Sequence, residues 1–421
     1  SRGLGDVYKR QDMDRLVEIL AQKIRKQAHI RIIGDYDVDG VTSSHLFLTA
    51  LRRVGAKVDV VIPHRIQDGY GLSLHLLQQA KEDGVDTILT CDNGIAAIDE
   101  IAWAKAQKMT VLVTDHHAVP FEEHEGRRTE KKSLADAVVN PHQQDCGYPY
   151  KELCGAGVAW NVIRVLYENY DMDKREAEDL LDFVAMATVC DVMSLTGENR
   201  ILVKEGLKRI RHTKNIGLQA LMQACNVQPE NISAYHFGYV LGPCVNATGR
   251  LDTARHALRL FETGQETEAE EIARDLVDLN QERKELTLQG VEMAKKLCEE
   301  GGYENDPVLV LFLPDVHESI AGLIAGRIRE MYNRPVFVLT RGEEGVKGSG
   351  RSTENYSMYE NMCGCAELFT KFGGHPMAAG LSLPEENVEK FRRKINENCP
   401  LTVEEVCPDI HIDMAMPVGY A

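Results

Sequence analysis

Short apolar runs alternate with helix-like segments along the first third of the chain. Two segments have the apolar spacing of helices, and five short runs have the character of strands. The predicted helices are 14–27 and 41–54, and the predicted strands are 29–33, 57–62, 87–89, 110–113 and 137–139. Short strands separated by helices are typical of an open parallel α/β sheet, which we predict here.

The remainder of the chain is organised differently. Residues 150–215 are predicted to be largely helical, and residues 265–300 to form one long charged helix with a near-heptad apolar stripe. Beyond it, strand-like runs at 307–313 and 335–339 enclose a predicted helix at 318–332. The pattern therefore predicts two α/β domains, the second smaller than the first, joined by a long helix.

Acidic residues and histidine follow the predicted strands where each strand ends. The first strand runs into Asp35, Asp37 and Asp39, while Asp92 and His116 follow two later strands. Because ligands of such sheets bind beyond the carboxyl ends of the strands, topology is expected to bring these side chains together. Carboxylate and imidazole form a ligand set suited to manganese or magnesium.

Each of these groups has a plainer interpretation when taken alone. Asp-rich loops are common turns, and Asp92 before Asn-Gly fits a turn equally well. The adjacent pair His116 and His117 is harder to explain by packing, and Asp191 closes an apolar run where an unpaired charge would be costly. If the plainer interpretations were all correct, these residues would lie at successive element ends only by chance. We therefore favour a metal site.

Composition sets limits on the function. With 43% hydrophobic and 6% aromatic residues and no apolar run long enough for a bilayer, the 421 residues fit a soluble cytoplasmic protein with no membrane association. The eleven scattered cysteines fit the same compartment. A net charge of −17 argues against broad attraction to nucleic acid, although a carboxylate metal site adds to this charge and a local basic channel can coexist with it.

Several motifs, in order along the chain, carry a family resemblance. They are Asp35-Tyr-Asp-Val-Asp-Gly40, Asp92-Asn-Gly94, Asp115-His-His117, Thr188-Val-Cys-Asp191, Gly242-Pro-Cys-Val-Asn-Ala-Thr-Gly-Arg-Leu251, Gly348-Ser-Gly-Arg-Ser352 and Gly373-Gly-His-Pro-Met-Ala-Ala-Gly380. The series closely resembles the DHH phosphoesterase superfamily, and the form of the first motif resembles its RecJ exonuclease branch. The last two motifs resemble the DHH-associated domain of that family.

The resemblance implies two divalent ions, Mn²⁺ or Mg²⁺. The implied metal ligands are Asp35, Asp37, Asp39, Asp92, His116 and Asp191. Asp92 would bridge the two ions, and His117 would contact a phosphate oxygen instead of a metal. His117 joins the ligands other than Asp35 as an implied catalytic residue. A bridged pair of ions activates a water and stabilises both the entering and the leaving oxygen.

A second set of residues is predicted to contact the substrate. Besides His117, it comprises Asn246, Arg250, Ser319, Ser349, Arg351, Gly374 and His375. Most of these are expected in Gly-rich turns, where the backbone can approach a ligand closely. Arginine forks fit phosphate oxygens bidentately, although either arginine alone is more often part of a surface ion pair.

The function implied is a single-stranded-DNA-specific 5′-to-3′ exonuclease that releases 5′-mononucleotides during DNA repair and recombination. Implied partners are single-stranded DNA, a single-strand-binding protein and a helicase, with the chain itself a monomer. Two alternatives stay open: a short-oligonucleotide or cyclic-dinucleotide phosphodiesterase of the same superfamily, and an inactive nucleic-acid-binding scaffold. A dinucleotide-binding function is disfavoured, because the predicted turn at 154–157 lacks a third glycine.

The domain organisation is predicted in five parts. Residues 1–11 show no periodicity and are expected to be a non-native leader. The DHH catalytic domain with its helical extension is expected at 12–264, the connector helix at 265–302 and the DHH-associated substrate-binding domain at 303–398. Residues 399–421 are expected to begin a truncated domain, which the family resemblance implies is OB-like.

Overall fold

The computed structural model of the chain describes residues 12–65, 68, 71–124, 127–251, 253–303, 306–342, 345–402 and 414. The predicted leader at 1–11 lies outside the described residues, as does most of the predicted segment 399–421. The chain divides into two compact units, residues 1–280 and residues 281–421.

The first unit contains a five-stranded sheet, a two-stranded hairpin and most of the helices. Its elements are α1 (Met13–Arg25), β1 (Ile30–Ile33), α2 (Val38–Arg53), β2 (Val58–Val61), α3 (Leu74–Glu82), β3 (Thr87–Cys91), α4 (Ile98–Ala106), β4 (Thr110–Thr114), β5 (Phe121–His124), β6 (Arg127–Glu130), β7 (Ala137–Val139), α5 (Gly155–Asn169), α6 (Lys174–Glu178), α7 (Leu181–Cys190), α8 (Gly197–Ile210), α9 (Ile216–Ala224), a 3₁₀ turn (Pro229–Asn231), α10 (Ala234–His236), a π-helix (Phe237–Leu241), α11 (Gly242–Leu251) and α12 (Ala254–Glu262).

The sheet of the first unit is parallel throughout, in the order β2-β1-β3-β4-β7. Apolar side chains cover both of its faces. Ile32, Leu89 and Leu112 pack into a large cluster with α1, α2, α5 and α7, whereas Ile33 and Val111 pack with α3 and α4 on the other face. Because the sheet is covered on both faces, most positions of these short strands are apolar. Arg31 of β1 and Asp59 of β2 are exceptions, and they form an ion pair with each other.

The second unit contains a mixed sheet and begins within a long helix. Its elements are α13 (Glu266–Glu300, which crosses the division between the units), β8 (Leu309–Phe312), a 3₁₀ turn (Glu318–Ile320), α14 (Ala321–Tyr332), β9 (Val336–Gly342), β10 (Gly345–Arg351), α15 (Met358–Cys363), a 3₁₀ turn (Ala366–Leu368), β11 (Lys371–His375), β12 (Ala378–Leu383), a 3₁₀ turn (Glu385–Asn387) and α16 (Val388–Glu397).

The sheet of the second unit has the order β11-β12-β10-β9-β8, with β8 parallel to β9 and the other pairs antiparallel. Its faces pack into two clusters. Leu309 and Val338 lie against α13 and α14, and Val310 and Phe337 lie against α15 and α16. This alternation along one strand is the period-two pattern of a sheet covered on both sides.

The predicted fold class is confirmed: a parallel α/β unit, a long helix and a smaller α/β unit. Two local predictions are wrong. Helix α2 begins at Val38, three residues earlier than predicted, because the Asp37 side chain caps it by accepting from the Gly40 amide at 2.9 Å. The predicted turn at 154–157 is the start of α5, where Gly155 is the first helical residue. No helix among the described residues is long and apolar enough to cross a bilayer.

Candidate metal centre

The carboxyl ends of β1, β3 and β4 bring three motifs to one edge of the first unit's sheet. The strands pair in register up to that edge, with Ile33 opposite Thr90 and Cys91 opposite Thr114. The Asp92 amide then donates to the Thr114 carbonyl at 3.1 Å, and each motif begins one or two residues after its strand ends. Strand pairing therefore brings the three motifs to the same edge of the sheet.

Three carboxylates surround the His116 ring. Its Nε2 atom lies 3.0 Å from Asp92 Oδ1 and 3.6 Å from both Asp39 Oδ2 and Asp191 Oδ2. The Nε2 atom is buried but makes no hydrogen bond with any described residue. An imidazole nitrogen facing several carboxylate oxygens without a hydrogen bond is the arrangement expected of a cation site.

A second group of carboxylates shares Asp92 with the first. Ligand atoms of Asp35, Asp37 and Asp92 all lie within 4.8 Å of one another, as do those of Asp39, His116 and Asp191. Asp35 is buried, and its Oδ1 atom has no hydrogen-bond partner among the described residues. The donors are carboxylate oxygens with one imidazole, which fits a hard divalent cation such as Mn²⁺ or Mg²⁺.

Burial and mutual repulsion make this cluster unfavourable as a set of bare anions. Burial, with repulsion from Asp39, raises the pKa of Asp191 to about 8. Burial likewise raises the pKa of Asp35, Asp37 and Asp92, with neighbouring carboxylates adding to the shift. A divalent cation would relieve the same repulsion and restore the ionised ligands, because an ion's charge dominates the local field.

Backbone amides hold the Asp39 carboxylate. Its Oδ2 accepts from the Gly155 amide at 2.6 Å and its Oδ1 from the Ala156 amide at 2.7 Å, both in the first turn of α5. The partial positive charge of a helix N-terminus favours an anion there. Sequence reasoning missed this contact, because the donors are main-chain groups and only the two glycines in Gly155-Ala-Gly157 signalled a close approach.

Asp115 positions both histidines. Its Oδ1 accepts from the His116 and His117 amides at 2.7 and 3.1 Å and lies 2.8 Å from His117 Nδ1. Burial lowers the basicity of His117, but its contact with Asp115 outweighs this and raises the pKa to about 9. Sequence analysis quoted Asp115 within a motif and gave it no role.

Asn246 and Arg250 lie beside the first motif in the same unit. The Val38 amide donates to Asn246 Oδ1 at 3.1 Å, and the charge of Arg250 acts on the Tyr36 hydroxyl. Both residues lie in α11, so their predicted place in a Gly-rich turn is wrong. The glycine has another purpose: a Cβ atom at Gly249 would lie 2.4 Å from the Tyr36 carbonyl oxygen, which shows how closely α11 approaches the loop.

Arg65 is a further cation at the first motif that sequence analysis did not single out. Its guanidinium carbon lies 4.8 Å from the centre of the Tyr36 ring, and its charge opposes the rise in the pKa of Asp35 caused by burial. A single arginine outside any motif carries no sequence signal of its own.

The other predicted substrate contacts lie in the second unit, in strands and a short helix. Ser349 and Arg351 are in β10 and His375 and Gly374 in β11, so their predicted place in turns is also wrong. Arg351 and His375 both pair with Ala378 of the strand between them, which puts them in one row across three strands. The glycines of β10 make room for packing, since a Cβ at Gly350 would lie 2.3 Å from Met358 Sδ.

The start of α14 adjoins this row. Ser319 lies in the preceding 3₁₀ turn, where its hydroxyl is 2.6 Å from His317 Nδ1. A Cβ atom at Gly322 would lie 2.8 Å from an Arg351 guanidinium nitrogen. The structure thus brings Ser319, Ser349 and Arg351 to one end of the second unit's sheet, near a helix N-terminus that favours anions.

Comparison with known proteins identifies the family. The model described as "DHH family, N-terminal domain" matches residues 29–188, and the DHHA1 domain model matches residues 305–399. The chain is 37% identical over 403 residues to the single-stranded-DNA-specific exonuclease RecJ of Haemophilus influenzae, covering 91% of this chain and 68% of that protein. The chain belongs to the RecJ family.

Other RecJ proteins agree with this assignment. The Bacillus subtilis RecJ is 34% identical over 98% of this chain, but the chain spans only about half (51%) of that longer protein. A crystal structure of exonuclease RecJ bound to manganese is 31% identical, with a TM-score of 0.80 over 93% of this chain and 95% of that one. A Thermus thermophilus RecJ structure with Mn²⁺ gives a TM-score of 0.79 over 93% of this chain and 55% of that one.

RecJ membership confirms three predictions made from the sequence: the superfamily, the fold class and the enzyme class of metal-dependent single-stranded-DNA exonucleases. RecJ structures that contain Mn²⁺ and Mg²⁺ confirm the expected kind of ion for the family. The number of ions and the role of each residue in this chain are matters for proposal.

Proposed function

We propose that this chain hydrolyses phosphodiester bonds of single-stranded DNA, starting at a 5′ end and releasing 5′-mononucleotides, with two divalent ions. The observation that carries the proposal is that Asp92 adjoins two ligand groups at once. It forms one group with Asp35 and Asp37, and its Oδ1 lies 3.0 Å from Nε2 of His116, which belongs to the other. A carboxylate shared in this way is what a bridged pair of ions requires.

The proposed ligands divide between the two ions. Asp35, Asp37 and Asp92 would hold one ion, and Asp39, His116 and Asp191, again with Asp92, would hold the other. Divalent cations in such a site supply Lewis-acid activation of a water and neutralise charge on the phosphate. The contribution of the chain is to fix the ligands, as the amides of α5 do for Asp39.

We assign His117 to the substrate phosphate. Its ring is about half exposed, and its raised pKa of about 9 leaves it protonated at neutral pH, so it presents a positive charge to an anion. Asp115 fixes the orientation of the ring through its 2.8 Å contact with Nδ1. Asn246 and Arg250 would bind the DNA strand beside the first motif. A second set of proposed substrate contacts lies in the DHHA1 unit and comprises Ser319, Ser349, Arg351, Gly374 and His375.

The cellular setting is proposed from the family. The chain would act in the cytoplasm as a monomer in DNA repair and recombination, with a single-strand-binding protein and a helicase as partners. Two alternatives predict different substrates: a phosphodiesterase for short or cyclic oligonucleotides would act only on these, and an inactive scaffold would bind strands without cutting them.

Digestion of end-labelled DNA strands distinguishes the exonuclease from the two alternative functions. The purified chain with Mn²⁺ is given a 20-nucleotide single strand labelled at its 5′ or its 3′ end, the matching duplex and a dinucleotide. We expect labelled mononucleotide at once from the 5′-labelled strand, shortening fragments from the 3′-labelled strand, and little cutting of the duplex. Rapid cleavage of the dinucleotide alone would favour the short-oligonucleotide enzyme, and binding without cleavage would favour the scaffold.

A further inference from the structure

Two exposed tyrosines of the first unit are stacked on each other. The rings of Tyr235 and Tyr239 have centroids 5.1 Å apart and planes 24° apart. The side chains are exposed, at 62% and 72%, and neither hydroxyl has a hydrogen-bond partner among the described residues. Single exposed aromatics are ordinary, but a stacked pair that is largely exposed leaves a large apolar surface in water at a cost to stability.

The helix that carries the pair is built to hold it outward. Phe237 and Leu241 of the π-helix are fully buried, so Tyr235 and Tyr239, spaced four residues apart, occupy the opposite side. His236 packs edge-on against Tyr235 and is itself fixed by a 3.0 Å contact with the Ser233 hydroxyl. Short π-helices inside α-helical segments are frequent at functional sites.

The same segment is fixed to the metal centre at two places. Cys190 Sγ, directly before Asp191, donates to the Phe237 carbonyl at 3.2 Å, and a Cβ at Gly242 would lie 2.4 Å from that sulfur. Further along, α11 receives the Val38 amide on Asn246. The tyrosine pair therefore lies on one continuous helical run that contacts both the Asp191 end of α7 and the first aspartate loop.

We infer that Tyr235 and Tyr239 form a stacking platform for bases of the single strand that enters the metal centre. The inference rests on the proposed function and adds a base-binding surface to it. Bases are the fitting occupant because stacking on aromatic rings accepts any base. Stacking also needs no positive charge, which suits a chain of net charge −17 with no Lys or Arg between residues 234 and 249.

The kinetic test compares strand lengths in one protein. The ratio of kcat/KM for a 20-nucleotide strand to that for a trinucleotide is measured for the wild type and for Tyr235→Ala/Tyr239→Ala. Since one stacked base contributes about 1–3 kcal/mol, or roughly five- to 150-fold, we expect the ratio to fall at least about fivefold. Tyr239→Phe, which keeps the ring, should retain the wild-type ratio, and so should Ile201→Ala, an exposed apolar control elsewhere in the unit.

A binding measurement keeps this test separate from the test of catalysis. In EDTA, where no hydrolysis is expected, a strand containing 5-iodouracil is irradiated and the crosslinked peptide is found by mass spectrometry. A crosslink at Tyr235 or Tyr239 supports the platform even if the chain proves unable to cut DNA. An unchanged length ratio in the double variant, crosslinks only elsewhere, or a wild-type dimer that the double variant disrupts would overturn it.

Discussion

At the residue scale, the site depends on side chains placed where the backbone itself is constrained. Asp92 has a φ of +62°, a left-handed conformation that aspartate and asparagine tolerate better than most residues. Gly94 also has a positive φ, so Asp92-Asn-Gly94 does form a turn, as the sequence indicated. The Asp92 carboxylate is in addition a candidate metal ligand. The turn and ligand interpretations that the sequence left open are both compatible with the structure.

The ligand candidates could be predicted because carboxylate and imidazole side chains indicate metal binding and most of them follow the end of a predicted strand. The Gly155 and Ala156 amides could not, because main-chain donors leave no mark in the residue type. Asp115 lies between these cases: its place in the motif was evident, but its four hydrogen-bond contacts, including the one from the Ile95 amide at 2.9 Å, depend on the folded loop.

His45 gives a pH-dependent contribution to stability at the same scale. Burial beside Phe183 and Phe261 lowers its pKa from 6.5 to about 3. The unfolded state therefore binds more protons than the folded state between these values, so His45 costs stability as pH falls below 6.5. From pH 7.5 to 5.0 the cost is roughly 2 kcal/mol, most of it below pH 6.5, where the slope approaches about 1.36 kcal/mol per pH unit.

Urea unfolding at pH 7.5 and 5.0 measures this cost. His45→Gln should lose roughly 2 kcal/mol less than the wild type over the interval, and His45→Phe, which keeps a ring in the core, should do the same. Asp182, whose pKa is raised to about 6 by burial, acts in the opposite direction but cancels in the comparison. Equal losses in all three proteins would show that His45 does not titrate as its burial implies.

At the element scale, periodicity predicted helices and strands well, whereas several glycines were assigned to turns that do not exist. Glycines at 155, 249 and 350 were taken as signs of turns, but they lie inside helices and a strand where a side chain would collide with a neighbour. Sequence alone does not separate a glycine needed for chain reversal from one needed for close packing. The difference is decided by the partner element, which is distant in sequence.

Gly155 provides a test of this close packing. A Cβ atom there would lie 2.7 Å from Asp92 Cβ, so Gly155→Ala should displace α5 or Asp92, destabilise the fold by about 1–3 kcal/mol and weaken Mn²⁺ binding. Gly157→Ala is the matched control, because its nearest neighbour would be Leu153 Cδ2 at 3.4 Å, an ordinary contact. Helix propensity then predicts a gain of up to about 1 kcal/mol.

Unfolding in EDTA and Mn²⁺ titration of both variants give the readout. The packing argument requires a difference between the two positions in both measurements. If Gly155→Ala and Gly157→Ala behave alike, α5 tolerates a side chain at its first residue and does not hold Asp92 in place.

At the scale of the whole molecule, the acidic composition has a structural explanation. A net charge of −17 counted against a nucleic-acid enzyme, but several of its carboxylates are gathered at one sheet edge, where they repel each other in the absence of a cation. The cations Arg65 and Arg250 lie around the same edge, and the contact with Asp115 raises the pKa of His117 there. The global charge therefore says little about the local surface that a strand would meet.

Calorimetric titration with Mn²⁺ tests the central claim, that Asp92 is shared by two ions. The wild type should bind two Mn²⁺ per chain. Asp92→Asn, which suits the left-handed backbone, should weaken the binding of both ions by more than about a hundredfold. Loss of a residue that only hydrogen-bonds to a metal ligand costs up to about a hundredfold, and loss of a shared ligand should cost more. Asp182→Asn, a buried aspartate outside the cluster, should keep both sites. Wild-type binding of a single ion, or full-affinity binding by Asp92→Asn, would contradict the account.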